Sequence, residues 1–302
     1  MKLLVLNNSS AGPGDGGIYD FIRLFTQAGD EVVIRTVDEN MSFDVALADA
    51  SRFDRVVVSG GDGTVAHVCY ALRYTGTPVM VFPSGTANLI AQNIMHPVEL
   101  PALARLVREG SCMDFDMGEF DFGQERIGFM MMAGCGFDAD IMSTATVFKD
   151  RLGPVAYLRA AFEHATPTVA KIRLNVDGEE HETEGVGVVA MNFSKVQFDV
   201  SFGLANLPAD GLLDVCVLAT QNAWELIPSL LGATIDRSGK ALEQSDALRY
   251  YRGREIRVST NPPLSVEYDG EATEYRSPFT LRVLPSATKL IVTDACIEEF
   301  SV

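Results

Sequence analysis

Arg55-Val56-Val57-Val58-Ser59-Gly60-Gly61-Asp62-Gly63-Thr64 is the stretch from which the rest of the chain is read. Its β-branched apolar opening has the continuous character of a strand buried on both faces. The run breaks at three glycines and an aspartate, then resumes as Val65-Ala66-His67-Val68-Cys69-Tyr70-Ala71-Leu72, a helical pattern. The glycines therefore lie between a strand end and a helix start, where an open parallel sheet binds its ligands. Glycine there takes left-handed φ values and lets a ligand approach the backbone. The N–H groups and dipole of the following helix favour an anion.

Pro83-Ser84-Gly85-Thr86-Ala87-Asn88 repeats the arrangement. Thr77-Pro78-Val79-Met80-Val81-Phe82 reads as a strand, Ser84-Gly85-Thr86 as a polar turn, and Ala87 to Asn93 as the start of a helix. One such loop is equally well a tight strand-to-helix connection with no ligand. Two in succession, one with a carboxylate (Asp62) and one with two hydroxyls (Ser84, Thr86), favour a nucleotide. A carboxylate beside a polyphosphate repels it unless a cation intervenes, which points to ATP with Mg²⁺.

Ser59-Gly60-Gly61-Asp62-Gly63-Thr64 followed by Pro83-Ser84-Gly85-Thr86-Ala87-Asn88 resembles the catalytic domain of the diacylglycerol and sphingosine kinases, and most closely that of the soluble bacterial lipid kinases. The Gly-Gly-Asp-Gly-Thr element is shared with NAD kinases and phosphofructokinases; the second motif turns the resemblance toward lipid kinases. It implies an NAD kinase/phosphofructokinase-like α/β N-terminal domain with a parallel sheet, and ATP and Mg²⁺ as cofactors. The implied nucleotide contacts are Gly60, Gly61, Asp62, Gly63, Thr64, Ser84, Gly85, Thr86 and Asn88, with Asp62 also positioning the catalytic Mg²⁺. In the family the first loop reads Asn-Pro-x-Ser-Gly; here Asn7-Asn8-Ser9-Ser10-Ala11 agrees at Asn7 and Ser10 and departs at Asn8. A lysine common just beyond is absent from Gly12-Pro13-Gly14-Asp15. Thr36 matches a threonine near the adenine and ribose, and reads equally as a β-branched strand end. Ala66-His67 stands where the family has Asn-Glu, and His67 reads as a packing residue.

The chain of 302 residues, 47% hydrophobic and 22% charged, has the composition of a globular protein with one large or two modest domains. Five scattered cysteines without metal-like spacing read as reduced thiols in a cytoplasmic protein. Met1 to Leu6 is too short for a leader and leads straight into Asn7-Asn8-Ser9-Ser10, and the longest apolar stretch, Ile127 to Phe137, is too short to span a bilayer. A net charge of −17 argues against nucleic acid and against simple adsorption to anionic lipid. Contact with a lipid substrate at a membrane surface or micelle, as a peripheral protein, would need a local surface that composition does not reveal. Oligomeric state is left open, a homodimer included.

Strand-like Lys2 to Leu6 and Glu31 to Thr36 alternate with helix-like Ile18 to Ala28 and Phe43 to Phe53, the pattern of parallel strands with right-handed crossovers. Another helix is expected from Val98 to Glu109. From Ser111 strand-like runs dominate: Cys112 to Phe122, Arg126 to Ala133, Val169 to Val176, Gly185 to Phe193, Leu212 to Ala219, Glu255 to Ser259, Leu264 to Tyr268, Pro278 to Leu284 and Lys289 to Thr293. These predict a mainly antiparallel β-sandwich. The expected division is a nucleotide-binding domain over 1–117, an acceptor-binding domain over 118–285, and a segment 286–302 that, by the resemblance, returns to the first domain.

Three more stretches carry the resemblance. Ala133-Gly134-Cys135-Gly136-Phe137-Asp138-Ala139-Asp140 is family-like, and Asp138 or Asp140 either faces the acceptor or caps a helix. Asp210-Gly211-Leu212-Leu213-Asp214-Val215 matches the family segment whose turn holds a structural Mg²⁺, which implies Asp210 with the carbonyls of Leu207 and Leu212; the plainer reading is a turn aspartate before a strand. Upstream, Ser201-Phe202-Gly203 replaces a triple glycine. Asp269-Gly270-Glu271 reads as a hairpin turn, as does the identical Asp177-Gly178-Glu179. The resemblance makes Glu271 the general base on the lipid hydroxyl. The expected function is ATP-dependent phosphorylation of a lipid such as diacylglycerol. A kinase for NAD or another soluble alcohol, and a non-catalytic nucleotide-binding protein, are the alternatives.

Overall fold

A computed structural model describes residues 1–9, 16–38, 42–136, 167–193, 207–221, 247–269 and 271–300. Ser10, Asp138, Asp140 and the 201–203 segment lie outside the described residues. The chain divides into two compact units, the first comprising Met1–Met117, Pro208–Asp210 and Leu284–Val302, the second Gly118–Leu207 and Gly211–Val283.

The first unit alternates strand and helix: β1 (Lys2–Asn8), α1 (Gly17–Phe25), β2 (Glu31–Val37), α2 (Phe43–Leu47), β3 (Arg55–Gly60), α3 (Asp62–Ala71), β4 (Pro78–Pro83), α4 (Leu89–Asn93) and α5 (Leu100–Glu109). Four parallel strands lie in the order β2-β1-β3-β4. Leu3, Leu4, Val5 and Leu6 are all fully buried, as are Val56, Val57 and Val58, so both faces of the sheet are covered. This is why the strands lack alternation. Ile18, Phe21 and Phe25 of α1 and Leu103, Leu106 and Val107 of α5 pack with Leu3, Val5 and Val57. The spacing of the α1 residues is that of one helical face.

Helix extents differ from those expected: α1 ends at Phe25, short of Ala28, and α5 starts at Leu100. The expected helix over 43–53 stops at Leu47 and gives way to a short 3₁₀ turn, Ala50–Arg52. Arg35 on β2 donates to the carbonyl of Ala46 at 2.6 Å and to Asp49 at 2.5 Å, satisfying a helix-end carbonyl from outside and ending the helix there. α4 begins at Leu89, later than Ala87, because Asn88 takes φ 52° as its N-cap.

The second unit is built from β5 (Ser111–Asp121, its last four residues), β6 (Arg126–Phe129), β7 (Met132–Gly136), β8 (Ala170–Val176), β9 (Glu179–Gly185), β10 (Gly187–Met191), β11 (Leu213–Leu218), β12 (Leu248–Gly253), β13 (Glu255–Asn261), β14 (Ser265–Tyr268), β15 (Glu271–Arg276) and the start of β16 (Phe279–Val292). One antiparallel sheet has the order β12-β11-β10-β7-β14-β15. In the other, β9, β8, β13 and the start of β16 are antiparallel neighbours. Val188, Ala190, Val215 and Val217 of the first sheet share a core with Ile172, Leu174, Ile256, Val258 and Leu281 of the second, so the unit is a sandwich.

The single strand expected over 126–133 is two strands in different ladders. β6 pairs with β5, and β7 pairs with β10 and β14. The break falls at Met130-Met131, whose amides are taken by the carboxylate of Asp269. Conversely, the two strands expected over 278–284 and 289–293 are one, β16. Its start pairs antiparallel with β13, while Lys289 and Leu290 pair parallel with Pro78 and Val79 of β4. The chain ends in α6 (Asp294–Phe300), with Cys296 and Phe300 buried. Among the described residues no helix is long and apolar enough to cross a membrane.

Candidate functional site

In the order β2-β1-β3-β4 the chain leaves β1 toward β2 and returns on its other side at β3. The connections diverge at the carboxyl ends of β1 and β3, the position where an open α/β sheet forms its ligand crevice. Asn7 and Asn8 end β1, Ser59 and Gly60 end β3, and Thr36 lies opposite Asn7 on β2.

Hydrogen bonds draw these strand ends together. Ser59, 1% exposed, donates its hydroxyl proton to Asn7 Oδ1 at 2.9 Å. A serine hydroxyl carries one proton, so in the 3.0 Å contact between Ser59 Oγ and Ser84 Oγ it is Ser84 that donates. Asn8 Nδ2 donates to Thr64 Oγ1 at 2.8 Å, joining the first loop to the glycine loop. Asn8, which departs from the family proline, thus supports the site through its side chain. Neither Asn8 nor Ser59 was marked as a site residue by sequence; the signal for Ser59 was a hydroxyl at the last position of a buried apolar run, directly before the glycines.

α3 begins at Asp62, three residues before the apolar helical pattern, so Asp62, Gly63 and Thr64 form its first turn. Gly61 is the N-cap, with extended backbone (φ −78°, ψ 177°) and no side-chain cap to the helix. The first N–H groups of a helix lack intrahelical partners, and a glycine cap leaves them to an outside acceptor. A β-carbon at Gly61 would meet nothing within 4 Å, so the side-chain direction of the N-cap is open. The neighbouring glycines are constrained differently. At Gly60 a β-carbon would come within 2.6 Å of the Thr64 side chain, and at Gly85 within 2.5 Å of the Gly61 α-carbon. The second loop is therefore stacked backbone to backbone on the first.

Asn88 closes that second loop on itself, accepting from Gly85 N at 2.8 Å and donating to Gly85 O at 2.7 Å. Asp62 Oδ1 accepts from the Ile90 amide in the first turn of α4 at 2.8 Å, which clamps the two loops. Asp62 Oδ2 makes no hydrogen bond or ion pair among the described residues and is a hard oxygen suited to Mg²⁺. Thr86 is exposed. His67 packs against Phe43, ring centroids 4.5 Å apart, and serves the α2–α3 contact. An anion-receptive helix end, open space at its N-cap and a carboxylate beside it are together what an ATP polyphosphate with its metal requires.

Asp210 belongs to the short segment Pro208–Asp210 of the first unit, while Leu207 and Leu212 belong to the second. The segment is tied down through Asp116, whose N–H donates to Pro208 O at 2.6 Å and whose carboxylate accepts from Ser286 N at 2.7 Å. Gly211 follows with φ 72° and β11 starts at Leu213, as expected of a turn before a buried strand. Among the described residues no group of three or more His, Cys, Asp or Glu could hold a metal ion; the donor set expected here is one carboxylate and two carbonyls.

In the second unit Glu271 is the first residue of β15, in register opposite Tyr268 of β14. Asp269 between them is 5% exposed, with φ 45°. Glu179 of the other Asp-Gly-Glu copy is exposed.

Residues 2–120 match the family model of the diacylglycerol kinase catalytic domain. Residues 131–292 match that of the YegS C-terminal NAD kinase beta sandwich-like domain. A protein of Klebsiella pneumoniae named "Probable lipid kinase YegS-like" is 26% identical over 310 residues, covering 98% of this chain and 97% of the relative. One of the same name in Pseudomonas aeruginosa is 29% identical over 305 residues, covering 96% of each. An uncharacterized protein of Synechocystis is 27% identical over 244 residues, 78% of this chain, and the match spans 54% of that relative's length. The crystal structure of a diacylglycerol kinase from Bacillus anthracis superposes with a TM-score of 0.73 at 20% identity, covering 97% of this chain and 98% of that one. That last likeness concerns the fold.

Proposed function

We propose, for a chain that belongs to the YegS-like lipid kinase family through its diacylglycerol kinase catalytic domain and its YegS-type C-terminal domain, that it transfers the γ-phosphoryl group of ATP to a hydroxyl of a lipid such as diacylglycerol. The observation that carries the reading is the α3 N-terminus, capped by a glycine whose side-chain direction is open, where the sheet connections diverge. The Gly60-to-Thr64 loop and the Ser84-to-Asn88 turn hold the phosphates, with Asn7 and Thr36 at neighbouring strand ends. Asp62 Oδ2 would hold Mg²⁺, which would supply neutralisation of the charge on the phosphate oxygens. Glu271 takes the acceptor hydroxyl's proton as that oxygen bonds to the γ-phosphorus and the bond to the bridging oxygen breaks, releasing ADP. Phosphoryl transfer depends chiefly on positioning and charge neutralisation, and a general base adds about 10²- to 10⁴-fold.

The test is transfer from labelled ATP with Mg²⁺ to a panel of lipids in mixed micelles, with NAD as a soluble acceptor. The Glu271→Ala protein runs alongside. A labelled lipid, with turnover lowered about 10²- to 10⁴-fold in the variant and ATP binding retained, is the expected result. Labelled NAD alone, or turnover unchanged in the variant, would overturn the acceptor class or the role of Glu271 respectively.

A further inference from the structure

The tripeptide Asp-Gly-Glu closes two hairpins of the second unit in one register. Asp177-Gly178 lies between paired Val176 and Glu179, and Asp269-Gly270 between paired Tyr268 and Glu271. Both aspartates take left-handed φ, 50° and 45°, a conformation Asp and Asn tolerate better than most residues. Each also anchors its hairpin to a neighbouring segment. The Asp177 N–H donates to Glu255 O, and its carboxylate accepts from the amides of Arg254 and Glu255. The Asp269 N–H donates to Met132 O at 2.8 Å, and its carboxylate accepts from three consecutive amides: Met130 at 2.7 Å, Met131 at 2.8 Å and Met132 at 3.1 Å.

The two anchors differ in surroundings. Asp177 is exposed and water can replace its bonds. Asp269, Met130 and Met131 are buried, and Met130 and Met131 fall between β6 and β7, where the chain changes sheets. Buried N–H groups must be satisfied, so the Met130–Met132 turn and the Asp269 hairpin each require the other. We propose that Asp269 is a positioning residue for Glu271: the three-amide cage fixes the β14–β15 hairpin, and with it the Glu271 backbone, before an acceptor arrives. The inference rests on the reading of Glu271 as proton acceptor.

Asp269→Asn tests it. Asparagine keeps the turn conformation, but its carboxamide presents N–H₂ to a buried N–H where a carboxylate oxygen accepted. Displacement of a reacting group by about 1 Å can cost about 10²-fold. The expectation is kcat per folded molecule lowered by that order, with KM for ATP within about twofold of the parent. Asp177→Asn, the same exchange in the other copy, keeps kcat. The double variant Asp269→Asn/Glu271→Gln turns over no more slowly than Glu271→Gln alone, because Asp269 acts through Glu271. Activity lost only in proportion to unfolded protein, or losses that multiply in the double variant, would overturn the proposal. Full activity of Glu271→Gln would instead remove the reading beneath it. Should Asp269→Asn not fold, Asp269→Glu retains a carboxylate for the amides but moves it by one methylene. There kcat lowered by a similar order in folded protein supports the proposal, and unchanged kcat overturns it.

Discussion

Gly61→Ala separates the binding of phosphate from the stability of the loop that binds it. The added methyl meets nothing within 4 Å, and the backbone at φ −78°, ψ 177° is open to any L-residue. Alanine is the poorer N-cap, whereas losing glycine's freedom in the unfolded chain stabilises by about 0.4–1 kcal/mol. The two effects oppose each other, so stability should change by less than about 1 kcal/mol. The methyl does occupy open space at the N-cap of α3. If it costs a phosphate oxygen one hydrogen bond to a charged group, the loss is about 1.5–3 kcal/mol, or roughly 10- to 150-fold in affinity. Gly85→Ala is the contrast: its methyl would lie 2.5 Å from the Gly61 α-carbon, so the loops must separate. Overpacking of this kind costs about 1–3 kcal/mol of stability, and binding suffers with it. Calorimetric titration with ATP, beside urea denaturation of the same preparations, distinguishes the two. ATP affinity in Gly61→Ala within twofold of the parent, or instability equal to that of Gly85→Ala, would refute the placement of phosphate at this helix end.

Other substitutions probe the framework. His96 places Nδ1 3.0 Å from Val81 O and Nε2 2.9 Å from Ile291 O, between β4 and β16 where their pairing ends at Val79 and Leu290; the neutral ring has one N–H and donates to one of the two carbonyls. Burial pushes its pKa below the ordinary 6.5, so the folded protein keeps the ring neutral while the unfolded chain takes up a proton. Its stabilising effect is complete above pH 6.5 and is lost as pH falls toward the folded pKa, with a slope of at most about 1.4 kcal/mol per pH unit. Denaturation as a function of pH should show this slope in the parent and not in His96→Gln; equal slopes would remove His96 as its source. Gly118→Ala would set a β-carbon 1.9 Å from the Phe129 ring, and overpacking should destabilise the protein by about 1–3 kcal/mol. A denaturation midpoint unchanged from the parent would show that the ring moves aside freely.

Much of the fold was legible in the chain because its signals are local. A β-branched run can be read as a buried strand wherever it occurs, which is how β1, β3 and β4 appear without reference to their neighbours. Acidic β9 (Glu179–Gly185) escaped notice because it alternates no apolar face. It is a sheet edge beside β8, and Glu182 meets Lys171 and Arg173 on that neighbour. β12 was also missed: only Leu248 and Gly253 are buried, and its ladder to β11 supplies the pairing. Extended structure at such positions depends on a partner strand more than on intrinsic propensity.

By itself the sequence determined the two strand-turn-helix loops, their glycines, the carboxylate between them and the strand-rich second half, since each depends on the residue types within about ten positions. Tertiary structure alone decided what those residues do for one another. Ser59 joins Asn7 to Ser84 across 52 and 25 positions of chain. Asp62 is bound to an amide 28 residues away. Asp269 satisfies amides 137 to 139 residues before it. A hydrogen bond's direction and distance are set by how strands stack, and no local pattern carries that information. The break between β6 and β7 has the same cause: the sequence there is apolar throughout, and the distant carboxylate that takes its amides turns one expected strand into two.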